Sequence, residues 1–230
     1  MFTKEQIKEQ WNNYKQSEID AGHQVPKSSI NLALLILSSS LFTQKDWGGR
    51  DYSPHPIHVA FNKTDSDIKI IIGILHDVVE DSDWTVDDLR EIGFHERVCV
   101  GVDNMTKREE ESYFEFIERC GLSYLNKEGN LDAIDNKIAD LKHNSDRSRT
   151  KGLVDSDYAN RKGEAYNISL YYLIDIKKGK IDPGTPIIDF LRKDPVYSAK
   201  PEQVNRVLDY FSNSEERLPV AVTPSPAPSI

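Results

Sequence analysis

Residues 74–81 read Ile-Leu-His-Asp-Val-Val-Glu-Asp, so a histidine and three acids end an apolar run that begins at Ile68. Burying that much charge is costly unless something compensates it. On a helix Glu80 follows His76 by one turn and Asp81 follows Asp77, which stacks the four side chains in two adjacent columns on one face. Val78 and Val79 then point into the core. Stacked acids repel one another, and a divalent cation bound by His76 and Asp77 removes the repulsion and repays part of the desolvation. Glu80 and Asp81 are left to face a reacting water. The bland alternative is an exposed helix end carrying ordinary charges.

A metal needs more ligands, and other segments offer them. In Tyr-Ser-Pro-His-Pro-Ile-His-Val-Ala, His55 directly precedes Pro56, which suggests a helix N-cap, and His58 follows one turn later. Asp140 lies between Ala139 and Leu141, with Asn144 one turn beyond. Spacing alone admits His55, His58 and Asp140, and mixed nitrogen and oxygen donors suit manganese, iron or zinc. The basic stretch from Lys142 to Lys151 either rims a pocket beside Asp140 or is solvated surface. Tyr166, Tyr171 and Tyr172 have the spacing of core aromatics.

The elements that must position these residues read as helices. Thr3 with Gln6, Thr85 with Asp88, and Ser112 with Glu115 form capping boxes, and Gly93 and Gly121 read as the ends of the latter two helices. Ser-Ser-Ile-Asn-Leu-Ala-Leu-Leu-Ile-Leu reads as a buried helix. Asp65 or Ser66 caps the run that ends at Asp81, and length favours a helix there although Ile-Lys-Ile-Ile-Ile is β-branched. Residues 131–145, 157–178 and 202–211 carry apolar positions at helical spacing. The tight hairpin dipeptides Asn-Gly and Asp-Gly are absent, and the expected fold class is all-α. Residues 1–178 are expected to form the main domain, 179–217 a short helical extension, and the proline-rich residues 218–230 a disordered tail.

The chain of 230 residues carries 29 basic and 38 acidic side chains, a net charge of −9. That balance argues against a nucleic-acid partner but admits a small phosphorylated ligand faced by a metal and local cations. With 29% charged residues, a polar N-terminal segment and only Cys99 and Cys120 as thiols, a cytoplasmic protein with no membrane span is expected.

Taken together, the segments Gln-Lys-Asp-Trp-Gly-Gly-Arg-Asp-Tyr-Ser-Pro-His-Pro-Ile-His-Val-Ala, Leu-His-Asp-Val-Val-Glu-Asp-Ser-Asp-Trp-Thr, Gly-Val-Asp-Asn-Met-Thr-Lys and Ala-Asp-Leu-Lys-His-Asn-Ser-Asp resemble the HD-domain metal-dependent phosphohydrolases. Within them the likeness is to the guanosine tetraphosphate hydrolase domain of the Rel/SpoT family and its single-domain relatives, the small alarmone hydrolases. It spans roughly Gln44 to Tyr172. The resemblance implies an HD-type helical bundle with one divalent ion, usually Mn²⁺, held by His55, His76, Asp77 and Asp140. Glu80 and Asp81 match the acidic pair that serves the attacking water and the scissile diphosphate. Lys45 aligns with a substrate-contacting lysine, Asn144 with an asparagine of the nucleotide pocket, and Lys107 falls in the family's Thr-Lys segment. Asp46 stands where many two-domain members have an arginine, and Arg50 or Arg147 is a candidate for the missing charge. His58 has no ligand counterpart, which makes it a supporting or surface residue, and His143 reads as solvated. The implied reaction is removal of the 3′-diphosphate from guanosine tetraphosphate, without a synthetase. The rivals are an HD phosphohydrolase acting on NADPH or a nucleoside triphosphate, and a non-catalytic nucleotide-sensing module.

Overall fold

A computed structural model of the chain describes residues 2–25, 29–46, 48–62, 64, 66–125, 130–146 and 157–211. Arg147, Asp65 and the proline-rich tail lie outside them. The described residues are helical and contain no strand, so the fold is all-α; their only β feature is an isolated antiparallel bridge between Lys45 and Asp51.

Helices α1 (Lys4–Asp20), α2 (Ile30–Ser40), α3 (Pro54–Ala60), α4 (Asp67–Leu75), α5 (Val78–Asp81), α6 (Val86–Ile92) and α7 (Glu96–Met105) surround one apolar cluster that includes Ile36, Ile71, Ile74, Leu75, Leu89 and Val102. Helices α8 (Tyr113–Leu122), α10 (Asp157–Lys177), α11 (Ile187–Lys193), α12 (Pro195–Ser198) and α13 (Pro201–Phe211) share a second, with Phe116, Tyr172, Phe190 and Phe211 inside it. Helix α9 (Asn130–Asn144) belongs to both, giving Ala133 to the first and Ile134, Ile138 and Leu141 to the second. The extension after residue 178 thus packs its apolar face into the same cluster as α8 and α10 where it is described.

Local sequence explains most helix starts. All three capping boxes form, with Thr3, Thr85 and Ser112 each accepting from the backbone N–H three residues on. Gly93 ends α6 in the left-handed region at φ 104°, where only glycine avoids a steric penalty.

Several local expectations fail for tertiary reasons. Gly121 lies one residue inside the end of α8, where α10 crosses and Ile176 Cδ1 would stand 2.7 Å from an added Cβ. The first proline of the His55 segment, Pro54, starts α3, and Ser53 takes the cap position, so His55 sits inside the helix. The run from Ile68 to Asp81 is not one helix. His76 and Asp77 keep right-handed backbone angles, but the ladder lapses between α4 and α5. The Gly73 carbonyl, which a continuous helix would give to the Asp77 amide, accepts a proton from the His76 imidazole at 2.7 Å. Among the described residues no helix is long and apolar enough to cross a membrane. Cys99 and Cys120 are buried free thiols.

Candidate metal centre

The lapse between α4 and α5 turns His76 and Asp77 toward α3 and α9. Gly73 makes the approach possible: a Cβ on it would stand 2.5 Å from the Ala60 Cα and 2.9 Å from Asn136 Oδ1. His55 from α3, His76 and Asp77 from the α4–α5 junction, and Asp140 from α9 therefore converge in one place. Ligand atoms of His55, His76 and Asp77 lie within 4.8 Å of one another. Asp140 Oδ1 closes the group at 3.1 Å from His55 Nε2 and 3.8 Å from His76 Nε2. Asp77 Oδ2 stands 3.0 Å from His76 Nε2 and 3.6 Å from His55 Nε2.

The donor atoms fit a divalent ion. Four ligand atoms bound at about 2.1 Å to one ion must lie about 3.0–3.4 Å apart, close to what is found. The protonation pattern agrees with this fit. A carbonyl only accepts, so His76 Nδ1 carries the proton shared with Gly73, and Nε2 is the nitrogen that would offer its lone pair to an ion in exchange for its own proton. That nitrogen is buried without a hydrogen bond and points at carboxylate oxygens. Burial opposes charging His76, yet Asp77 and Asp140 outweigh it and raise its pKa well above the usual imidazole range. The same field attracts a metal cation. Buried His55, His76, Asp77 and Asp140 thus form a set that can hold one metal ion.

Their orientation is fixed from behind. Tyr52 donates its hydroxyl proton to Asp77 Oδ2 at 2.6 Å, and burial with the nearby carboxylates keeps that phenol protonated. Asn144 Nδ2 donates to Asp140 Oδ1 at 2.6 Å, which places the asparagine against a ligand. His143, read from sequence as solvated, is half-buried instead: its Nδ1 meets His55 Nδ1 at 2.6 Å. Its ring lies parallel to those of His55 and His58, with centroids 4.9 and 4.1 Å away. His58 is exposed and supports His143 by stacking.

Glu80 and Asp81 follow directly on α5. Desolvation by the surrounding chain pushes the Glu80 carboxyl up to about 7, although the residue is exposed to solvent. Its Oε1 accepts from the Lys107 backbone N–H, so Lys107 reaches the site through its main chain. Desolvation also raises the Asp81 carboxyl, against the hydrogen bond it accepts from Gln44 Nε2 at 2.8 Å. Gln44 opens the bridged loop that carries Lys45, whose ammonium is exposed and paired with Asp51. Asp46 has a structural task in that loop: it accepts from the Gly48 and Arg50 amides and pairs with the Arg50 guanidinium at 3.1 Å. Arg50 is thereby held by Asp46.

Sequence reasoning missed Tyr52, Gln44, Lys137 and His143. The last two were within reach, since each stands one turn from Asp140 on the same helix face. No family model matches the chain.

Proposed function

We propose that the protein is a metal-dependent phosphohydrolase of the HD type, acting on a phosphorylated nucleotide, with the 3′-diphosphate of guanosine tetraphosphate as the preferred target. The observation that carries the reading is the convergence of the buried Nε2 atoms of His76 and His55 on the carboxylates of Asp77 and Asp140. That arrangement asks for a cation, and two acids outside the ligand set lie within a turn of it.

A bound divalent ion supplies a water acidic enough to attack a phosphoryl group near neutral pH, and manganese suits the mixed donors. Glu80, one turn after Asp77 and with its carboxyl near neutrality, is the proposed acceptor of that water's proton. Asp81, held by Gln44, orients the water or the leaving diphosphate. Lys45, next to Gln44, and Lys107, whose amide holds Glu80, are the cations proposed to meet a polyphosphate. The guanosine tetraphosphate assignment rests on the order and spacing of the segments around these residues, which resemble the Rel/SpoT hydrolase domain.

The test is chromatography of guanosine tetraphosphate incubated with purified protein and Mn²⁺, beside NADPH and nucleoside triphosphates, with Asp77→Ala as control. Metal-dependent release of GDP and pyrophosphate supports the reading. Cleavage of another nucleotide alone keeps the chemistry and removes the substrate. Absence of any cleavage by a Mn²⁺-loaded protein removes the enzyme.

A further inference from the structure

Lys137 is the least expected residue beside the metal centre. It is buried, one turn before Asp140 on α9, with its ammonium 2.9 Å from Asp140 Oδ2 and 4.7 Å above the Phe116 ring centre. Burying a lysine is costly unless it is paired. Placing it on a metal ligand carries a second cost, because its charge offsets the negative charge that attracts the metal. Affinity for a cation therefore does not explain it.

The two oxygens of Asp140 suggest what does. Oδ1 faces His55 Nε2 and His76 Nε2 and takes the Asn144 amide, whereas Oδ2 is turned away onto Lys137. A carboxylate can bind an ion through one oxygen or through both. We propose that Lys137 is a positioning residue that holds Asp140 to the ion through Oδ1 alone, so that a coordination position stays open for the attacking water. This inference rests on the metal-hydrolase reading above and adds to it a residue and its task. The same ammonium acts on Glu80, where it is the strongest influence opposing the effect of burial. One cation thus keeps the ligand single-toothed and favours the charged form of the proposed base.

An ordinary buried salt bridge would stabilise the helix without governing the ion's water. The experiment compares wild-type protein with Lys137→Met and Lys137→Gln, each loaded with Mn²⁺. Waters on the ion are counted by pulsed electron–nuclear double resonance in ¹⁷O-water, affinity is measured by calorimetry, and folding by circular dichroism. Lys137→Met is expected to bind Mn²⁺ at least as tightly as wild type, to carry fewer waters and to lose turnover by about 100-fold. Lys137→Gln keeps a donor for Oδ2 and is expected to retain the wild-type water count. An unchanged count in Lys137→Met overturns the proposal, and a Lys137→Gln protein that behaves like Lys137→Met assigns the effect to charge and overturns the hydrogen-bond argument.

Should Lys137→Met fail to fold, a crystal structure of the Mn²⁺-loaded wild type decides alone. Asp140 bound through Oδ1 with Lys137 on Oδ2 supports the inference, and both oxygens on the ion overturn it. A wild-type protein that binds no Mn²⁺ fails the metal reading itself, a result distinct from bound Mn²⁺ with a two-toothed Asp140.

Discussion

His143 Nδ1 lies 2.6 Å from His55 Nδ1, so one imidazole orients the other. If His55 gives its Nε2 to a metal, its Nδ1 must carry the proton and donate it to His143. Both the tautomer and the tilt of the ligand then depend on a residue that touches no metal. His143→Ala is expected to lower Mn²⁺ affinity by about 10- to 100-fold without unfolding the chain. Calorimetric titration checks this, and wild-type affinity in the variant would show that the contact does not orient His55.

Tyr52 plays the corresponding part for Asp77, with a hydrogen bond of 2.6 Å to a carboxylate oxygen. Tyr52→Phe keeps the ring and removes only the donor. The metal-free protein should lose about 1–3 kcal/mol of stability, the range for hydrogen bonds to charged groups and for a polar atom left unpaired. Urea unfolding with chelator present measures this, and a loss below about 0.5 kcal/mol would mean that water replaces the hydroxyl without cost.

The raised carboxyl of Glu80 gives a pH dependence whose sign can be worked out. Its pKa moves from 4.5 to about 7 in the folded protein. Between those values the folded chain holds a proton that the unfolded chain releases, so this group's contribution to stability falls as pH rises through the window. Comparing urea midpoints at about pH 5 and about pH 7.5 without metal, Glu80→Gln should lose less stability than wild type over that rise. Equal slopes in the two proteins would remove the shifted group. If the Mn²⁺-loaded protein hydrolyses nucleotides as proposed, the sign for activity is opposite, since a base must be ionised: turnover should rise with pH toward neutrality and be lost in Glu80→Gln.

Gly73→Ala tests the crossing that brings the ligands together. The added methyl would stand 2.5 Å from the Ala60 Cα, which is backbone and cannot swing aside. A loss of about 1–3 kcal/mol is expected, as for an overpacked core. Because the same residue's carbonyl fixes His76, Mn²⁺ affinity should fall with it. Thermal melts with and without Mn²⁺ separate the two effects, and an unchanged melting temperature would show that α3 and α4 can part freely.

The sequence was most informative where structure is local. Thr3, Thr85 and Ser112 cap their helices because the partner lies three residues away, and that spacing is visible in one dimension. The convergence of His55, His76, Asp77 and Asp140 was anticipated from an apolar run interrupted by charge and from the resemblance of the segments around it. Residues set by tertiary contact were less legible. Gly121 reads as a helix end, but α10 crosses there and packs Ile176 and Tyr172 close against its bare Cα. His143 and Lys137 have the composition of solvated surface, but Ile134, Ile138 and Leu141 turn α9 so that both face the site. The lapse at His76 carries no proline or glycine at the break itself; it arises because an imidazole competes for a backbone carbonyl.

Helix α9 lies in both apolar clusters and carries Asp140, whereas His55, His76 and Asp77 come from elements around the first cluster alone. An ion at their centre would pin together segments far apart in the chain, much as a disulfide does, by denying the unfolded chain its open loops. The metal would then be a removable rivet through the seam between the two halves. With it in place they should melt as one unit, and a chelator should let the half built on α8 and α10–α13 loosen from the half built on α1–α7.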